Sequence, residues 1–164
     1  MSGSYYSSDY VENENVIGYI DNVTSFGIIA PKRRSIIITN KRILILNASS
    51  TSSVATDAGF AYVFGIFGRG IANKITKEDI ENATKKLSQM NLDDALKSDP
   101  DNLALNNGDI TNIEIDRHGI QIKTSNKTYK YGLSNPDTKN KDSGVYNSYV
   151  QALRTVFGDK VKAK

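Results

Sequence analysis

Residues 35–46 read Ser-Ile-Ile-Ile-Thr-Asn-Lys-Arg-Ile-Leu-Ile-Leu, and this stretch decides the fold class. Two short apolar runs, Ser35–Thr39 and Ile43–Leu46, flank the polar Asn40-Lys41-Arg42, which is the form of a β-hairpin. The isoleucines are consecutive rather than alternating with polar residues. Strands of this kind are expected to keep little solvent on either face.

Working outward, Val16–Ile20 is apolar and β-prone, and Asp21-Asn22 follows as a turn signal. Phe26–Ala30 fits a short strand ahead of Pro31. On the far side, Ala48–Thr56 is a Ser/Thr/Ala loop, and Gly59–Ala72 interleaves Phe60, Tyr62, Phe64, Ile66 and Phe67 with glycines. Thr76 is placed to cap a helix carrying Ile80, Ala83, Leu87 and Met90 on one stripe. Asn91 is placed to cap a second short helix through Leu96, which must stop before Pro100. Strands resume at Asp109–Ile115, with a bulge near Thr111-Asn112, and continue through Ile120–Thr124 and Lys127–Leu133. The last two alternate cleanly, so this antiparallel meander should have one wet face, and Gly119 sits where a tight turn would use positive φ. A helix from about Ser143 to Phe157 carries Val145, Tyr146, Tyr149, Val150, Leu153 and Phe157 on one side, and Gly158 is placed to end it. Six or seven strands covering most of 16–47 and 109–133 are expected.

Composition narrows the function classes. The chain has 164 residues, no cysteine, one histidine and a net charge of +3. Without cysteine there is no disulfide framework, thiolate zinc site or Cys nucleophile, and histidine chemistry would fall on His118 alone. His118 reads as an exposed turn residue, and Asp99-Pro100-Asp101-Asn102 fails as a calcium loop because Leu103 and Leu105 occupy oxygen-donor positions. No catalytic residue, metal or cofactor is assigned, and the chain is expected to be non-enzymatic. The longest apolar run is about 14 residues, short of the roughly 20 that span a bilayer, and no apolar segment follows a basic start. A cytoplasmic protein, peripheral at a membrane if it binds one, is the expectation. The organisation reads as a polar segment over 1–15, one domain over 16–160 with a helical insertion at about 55–104, and a basic tail over 161–164.

Strands, then a meander, then one amphipathic C-terminal helix is the order of a pleckstrin-homology-like (PH-like) domain. Residues 35–46 resemble the Thr-Asn-Lys-Arg hairpin of the GRAM and prokaryotic PH-like families, and "L-N-N-G-D-I-T-N-I-E-I" over 105–115 is similar to the segment preceding their last hairpin. The Gly-rich insertion followed by Ser98-Asp-Pro-Asp-Asn102 also resembles uncharacterised archaeal proteins. The resemblance covers roughly residues 14–160. It implies an α+β, mainly β, fold: a partly open antiparallel barrel capped by the terminal helix. The long insertion departs from the pattern between Leu46 and Asp109.

Two groups of residues carry candidate function. Residues 23–56 hold five bases and no acid: Lys32, Arg33, Arg34, Lys41 and Arg42. The first three lie in a loop leading into a strand, in the general region where PH-like barrels take phosphorylated head groups. An anionic membrane surface or phosphorylated ligand is one reading; a solvated loop and turn that keep an apolar hairpin soluble is the other. About five residues separate the two groups along one strand, so they should not form one compact pocket. The second group is Phe60, Tyr62, Phe64, Ile66 and Phe67, with more apolar bulk than a small barrel holds. A second copy of the chain is the expected cover, giving a homo-oligomer. A protein-interaction or self-assembly role is the alternative function. Nucleic acid is a weaker one, because Tyr129 and Tyr131 share a strand face opposite Lys130 and should be buried.

Overall fold

The computed structural model describes residues 13–25, 31–47, 91–134, 136–139 and 144–164, together with the isolated helical residues Glu78, Glu81, Asn82 and Lys85. Its strands are β1 (Val16–Ser25), β2 (Lys32–Thr39), β3 (Arg42–Asn47), β4 (Leu103–Asn106), β5 (Ile110–Ile115), β6 (Gly119–Thr124), β7 (Thr128–Leu133) and β8 (Val161–Ala163). Two helices are α1 (Leu92–Lys97) and α2 (Gly144–Phe157). The strands form one sheet in the order β4-β3-β2-β1-β7-β6-β5-β8, open at β4 and β8. The fold is mainly β with a C-terminal helix, broadly PH-like in its order of elements. Among the described residues no helix is long and apolar enough to cross a membrane.

The hairpin forms, with Ile36↔Ile45, Ile37↔Leu44 and Ile38↔Ile43 paired; β3 begins at Arg42, so the turn is Asn40-Lys41 rather than the expected Asn40-Lys41-Arg42. Ile36, Ile37, Ile38, Ile43, Leu44 and Ile45 are all 0% exposed, so the non-alternating pattern does report burial on both faces. One face carries Gly18, Ile20, Ile36 and Ile38 and receives α2: a Cβ on Gly18 would lie 2.3 Å from the Ala152 Cβ. We call this the inner face. Pairing propagates it through Val23↔Leu133 and Ser25↔Tyr131 to Ile120, Ile122, Ile113 and Ile115.

Several expectations are corrected. Asp21-Asn22 does not turn the chain; β1 runs straight through, and the pairing with β2 shifts register between Ile20 and Val23. A bulge absorbs the turn-forming dipeptide without ending the strand. Gly119 does not take positive φ; it opens β6, and glycine is needed because a Cβ there would stand 2.8 Å from the Tyr131 carbonyl oxygen. Gly158, by contrast, has φ +54 and ends α2 as expected. Eight strands form among the described residues, more than the six or seven expected. The additions are β4, inside and just beyond the expected insertion, and β8, inside the basic tail. β8 runs parallel to β5, held by the Lys164 amide donating to the Ile115 carbonyl at 2.9 Å and by the Tyr146 hydroxyl, 3.2 Å from the Lys164 carbonyl.

Other expectations hold. Asn91 caps α1, its side chain accepting from the Asp93 and Asp94 amides at 3.1 and 3.2 Å. The β5–β6 register slips between Ile110 and Asn112, at the expected bulge. The expected strand at Phe26–Ala30 and the Gly59–Ala72 segment lie outside the described residues.

Candidate functional site

Lys32, Arg33 and Arg34 do not lie in a loop; they are the first residues of β2, paired with Ser25, Thr24 and Val23. Strand alternation divides them. Lys32 and Arg34 share the inner face with Ser25, Val23 and Tyr131, while Arg33 points to the opposite face with Thr24. Because β1 and β7 are antiparallel, the chain leaving Ser25 heads toward the start of β7. The β6–β7 turn therefore lies at the same end of the sheet as the start of β2.

At this end two cations converge on one residue. The Lys32 ammonium donates to the Asp101 carboxylate at 3.0 Å, and the Arg34 guanidinium donates through Nη1 to the Asp101 carbonyl at 3.0 Å. Arg34 Nε donates to Ser25 Oγ at 3.3 Å. The hydrogen bond from Lys32, reinforced by its charge, holds the Asp101 carboxyl below the usual carboxylate range. Both members of the Lys32–Asp101 pair are about half exposed, 53% and 48%, so water screens the bond. Tyr131 is buried beside this cluster, and burial pushes its phenol up to about 12, with Arg34 opposing the shift. Tyr129, on the same face, is half-buried, and the Lys127 ammonium lies 5.0 Å from its ring centre. Lys130 is exposed, as the alternation required.

Lys41 and Arg42 stand at the other end of β2, so the five bases do not share a pocket. Arg42 is engaged inside the fold. It makes a bidentate bond to Glu14 at 2.8 and 2.9 Å and reaches Asp93 of α1 at 2.7 Å. The Thr39 hydroxyl, fully buried, accepts from the Lys41 and Arg42 amides at 3.1 and 2.9 Å. Asn40 bonds residues 13 and 15 through its side chain. Thr39, Asn40 and Arg42 thus fasten the preceding segment and α1 to the hairpin, and that fastening explains these three residue types. Lys41 is exposed.

Other sequence candidates stand apart from this cluster or outside the described residues. Asp99 caps the Asp101 amide at 2.8 Å and accepts from the Asn47 side chain at 3.2 Å, so its oxygens are spent on structure. Among the described residues no group of three or more potential ligands is placed to hold a metal. His118 is exposed in the β5–β6 turn. Phe60, Tyr62, Phe64, Ile66 and Phe67 lie outside the described residues. A cleft of about 320 Å³ opens over the paired Gly119 and Gly132, rimmed by acids and bases alike: Glu114, Asp116, Lys130 and Lys164.

Asp101, Ser25 and Tyr131 were missed as site residues. The bases Lys32 and Arg34 were legible, but as a loop; their alternation along a strand was not, and neither was a partner 69 positions away. Comparison of the chain with protein-family models, curated proteins and solved structures finds no match.

Proposed function

We propose that this chain is a non-enzymatic PH-like binding module that takes an anionic group, phosphate or an anionic lipid head group, where Lys32 and Arg34 converge. The observation that carries this reading is their shared grip on Asp101. Two cations on alternate positions of one strand end reach one residue, Lys32 its carboxylate and Arg34 its backbone carbonyl, and two donors this close support the reading of an anion site. An exposed ion pair is worth only about 0–1 kcal/mol, so an anion of higher charge displaces the carboxylate at little cost. Arg42 does not belong to this site, because Glu14 and Asp93 neutralise it.

Co-sedimentation with vesicles of phosphatidylcholine and phosphatidylserine tests the reading. Binding should rise with the anionic lipid and fall with salt. Changing Lys32 and Arg34 together to Ala should weaken it by about 25-fold, at about 1 kcal/mol for each base. Partitioning that the double variant leaves unchanged would sink the reading in favour of a protein-interaction or self-assembly role.

A further inference from the structure

Tyr131 is only 7% exposed as a residue, its hydroxyl reaches solvent, and no hydrogen bond ties that hydroxyl to the described residues. Two other buried tyrosines are tied into the fold through theirs: Tyr19 donates to Ser35 Oγ at 2.8 Å, and Tyr146 donates to the Lys164 carbonyl at 3.2 Å. Tyr131 stands at a particular place. Tyr131 pairs with Ser25, Ser25 pairs with Lys32, and Ser25 Oγ accepts from Arg34. One short stretch of inner face therefore gathers an ammonium, a guanidinium and an unused phenol.

The present occupant does not satisfy this set. The Asp101 carboxylate takes Lys32 alone, Arg34 turns to the backbone carbonyl, and the phenol receives nothing. Three donors approaching from two strands call for a group with three terminal oxygens, which a carboxylate lacks and a phosphate monoester has. We propose that Tyr131 is a ligand contact, its hydroxyl donating to one oxygen of a phosphate monoester whose other oxygens face Lys32 and Arg34. This rests on the anion-binding reading above. Burial keeps the phenol protonated across the neutral range, so it acts there as a donor and never as a competing anion.

The test uses the full chain, inorganic phosphate in calorimetric titration, and vesicles of phosphatidylcholine with and without phosphatidic acid. Tyr131→Phe removes one oxygen that the fold leaves unpaired, so the thermal midpoint should not fall, while affinity should drop by about ten-fold. A drop seen with inorganic phosphate identifies phosphate itself as sufficient; a drop confined to vesicles identifies the lipid-borne monoester. Equal binding by Tyr131→Phe and wild type, with Lys32→Ala/Arg34→Ala weakened, overturns the tyrosine contact and leaves the basic site standing. A lowered midpoint in Tyr131→Phe also overturns it, because the hydroxyl then serves the fold. Binding that none of these substitutions changes, or that wild type lacks for every probe, overturns both.

Discussion

Across β1, β2 and β3 the outward residues Tyr19, Ile37 and Leu44 are as buried as the inward Ile20, Ile36 and Ile45. Across β8, β5, β6 and β7 the outward row is Lys162, Glu114, Gln121 and Lys130, none of them buried, over an inward row of isoleucines and tyrosines. One sheet is thus built by two rules. The first half is a middle layer, covered on both sides; the second half is a wall with water behind it. The difference tells where a ligand can be met. Among the side chains described in the first half, the exposed polar ones stand at strand ends, and Lys32 and Arg34 come together at one such end.

The sharpest way to break this comparison is to truncate equivalent outward positions. Ile37→Ala should cost about 3 kcal/mol, because it empties a site closed on both sides. Gln121→Ala in β6 should stay within about 0.5 kcal/mol. Urea unfolding of both variants decides it. Similar losses would mean that the first half is wetter, or the second drier, than its burial indicates.

A second experiment sharpens the inner face, where the halves share one helix. Gly18 meets Ala152 so closely that a Cβ on Gly18 would lie 2.3 Å from the one on Ala152. Gly18→Ala should destabilise by about 2 kcal/mol through overpacking. Adding Ala152→Gly should return part of that loss, since the two methyl groups contend for one space, although glycine within α2 carries its own cost of about 1 kcal/mol. Additive losses in the double variant would show that α2 does not sit on β1 this closely.

How legible these halves were follows from their physics. The second half announced itself through alternation, because a strand with one wet face writes its orientation into the sequence; Ile120, Ile122 and Tyr131 are buried as read, while Tyr129 shares their face but is only half-buried. The first half announced burial but not facing, since consecutive isoleucines look the same from either side. Asp21-Asn22 misled because turn-forming residues also suit a bulge, and only the partner strand distinguishes the two. β8 was hidden in a Lys-rich stretch where Val161 alone is buried. At the candidate site the bases were visible and their partners were not. Asp101 and Glu14 become partners through folding, and nothing local to Lys32 or Arg42 marks them.

The finest comparison is between two turns, one in each half, built on the same device. Thr39 accepts from the amides two and three residues on, and Thr124 does the same with Asn126 and Lys127, at 3.4 and 3.1 Å. Only the first turn adds a charged clasp, in which Arg42 ties Glu14 and Asp93 to the hairpin. Arg42→Gln should therefore lower stability at neutral pH by about 1 kcal/mol, through lost charge-assisted bonds at a partly buried site. Lys127→Gln in the second turn should change it far less. The pH dependence separates a clasp from simple packing. Hydrogen bonding to Arg42, with its charge, holds the Asp93 carboxyl below its ordinary 3.8. A depressed carboxyl contributes stability that is present above 3.8 and is lost as pH falls through the lower folded value. The gap between wild type and Arg42→Gln should accordingly be constant from neutral pH down to about pH 5 and narrow below the carboxylate range. A gap of the same size at pH 2 and pH 7 would mean that Arg42 acts through its aliphatic stem, and that the two turns differ in packing rather than in charge.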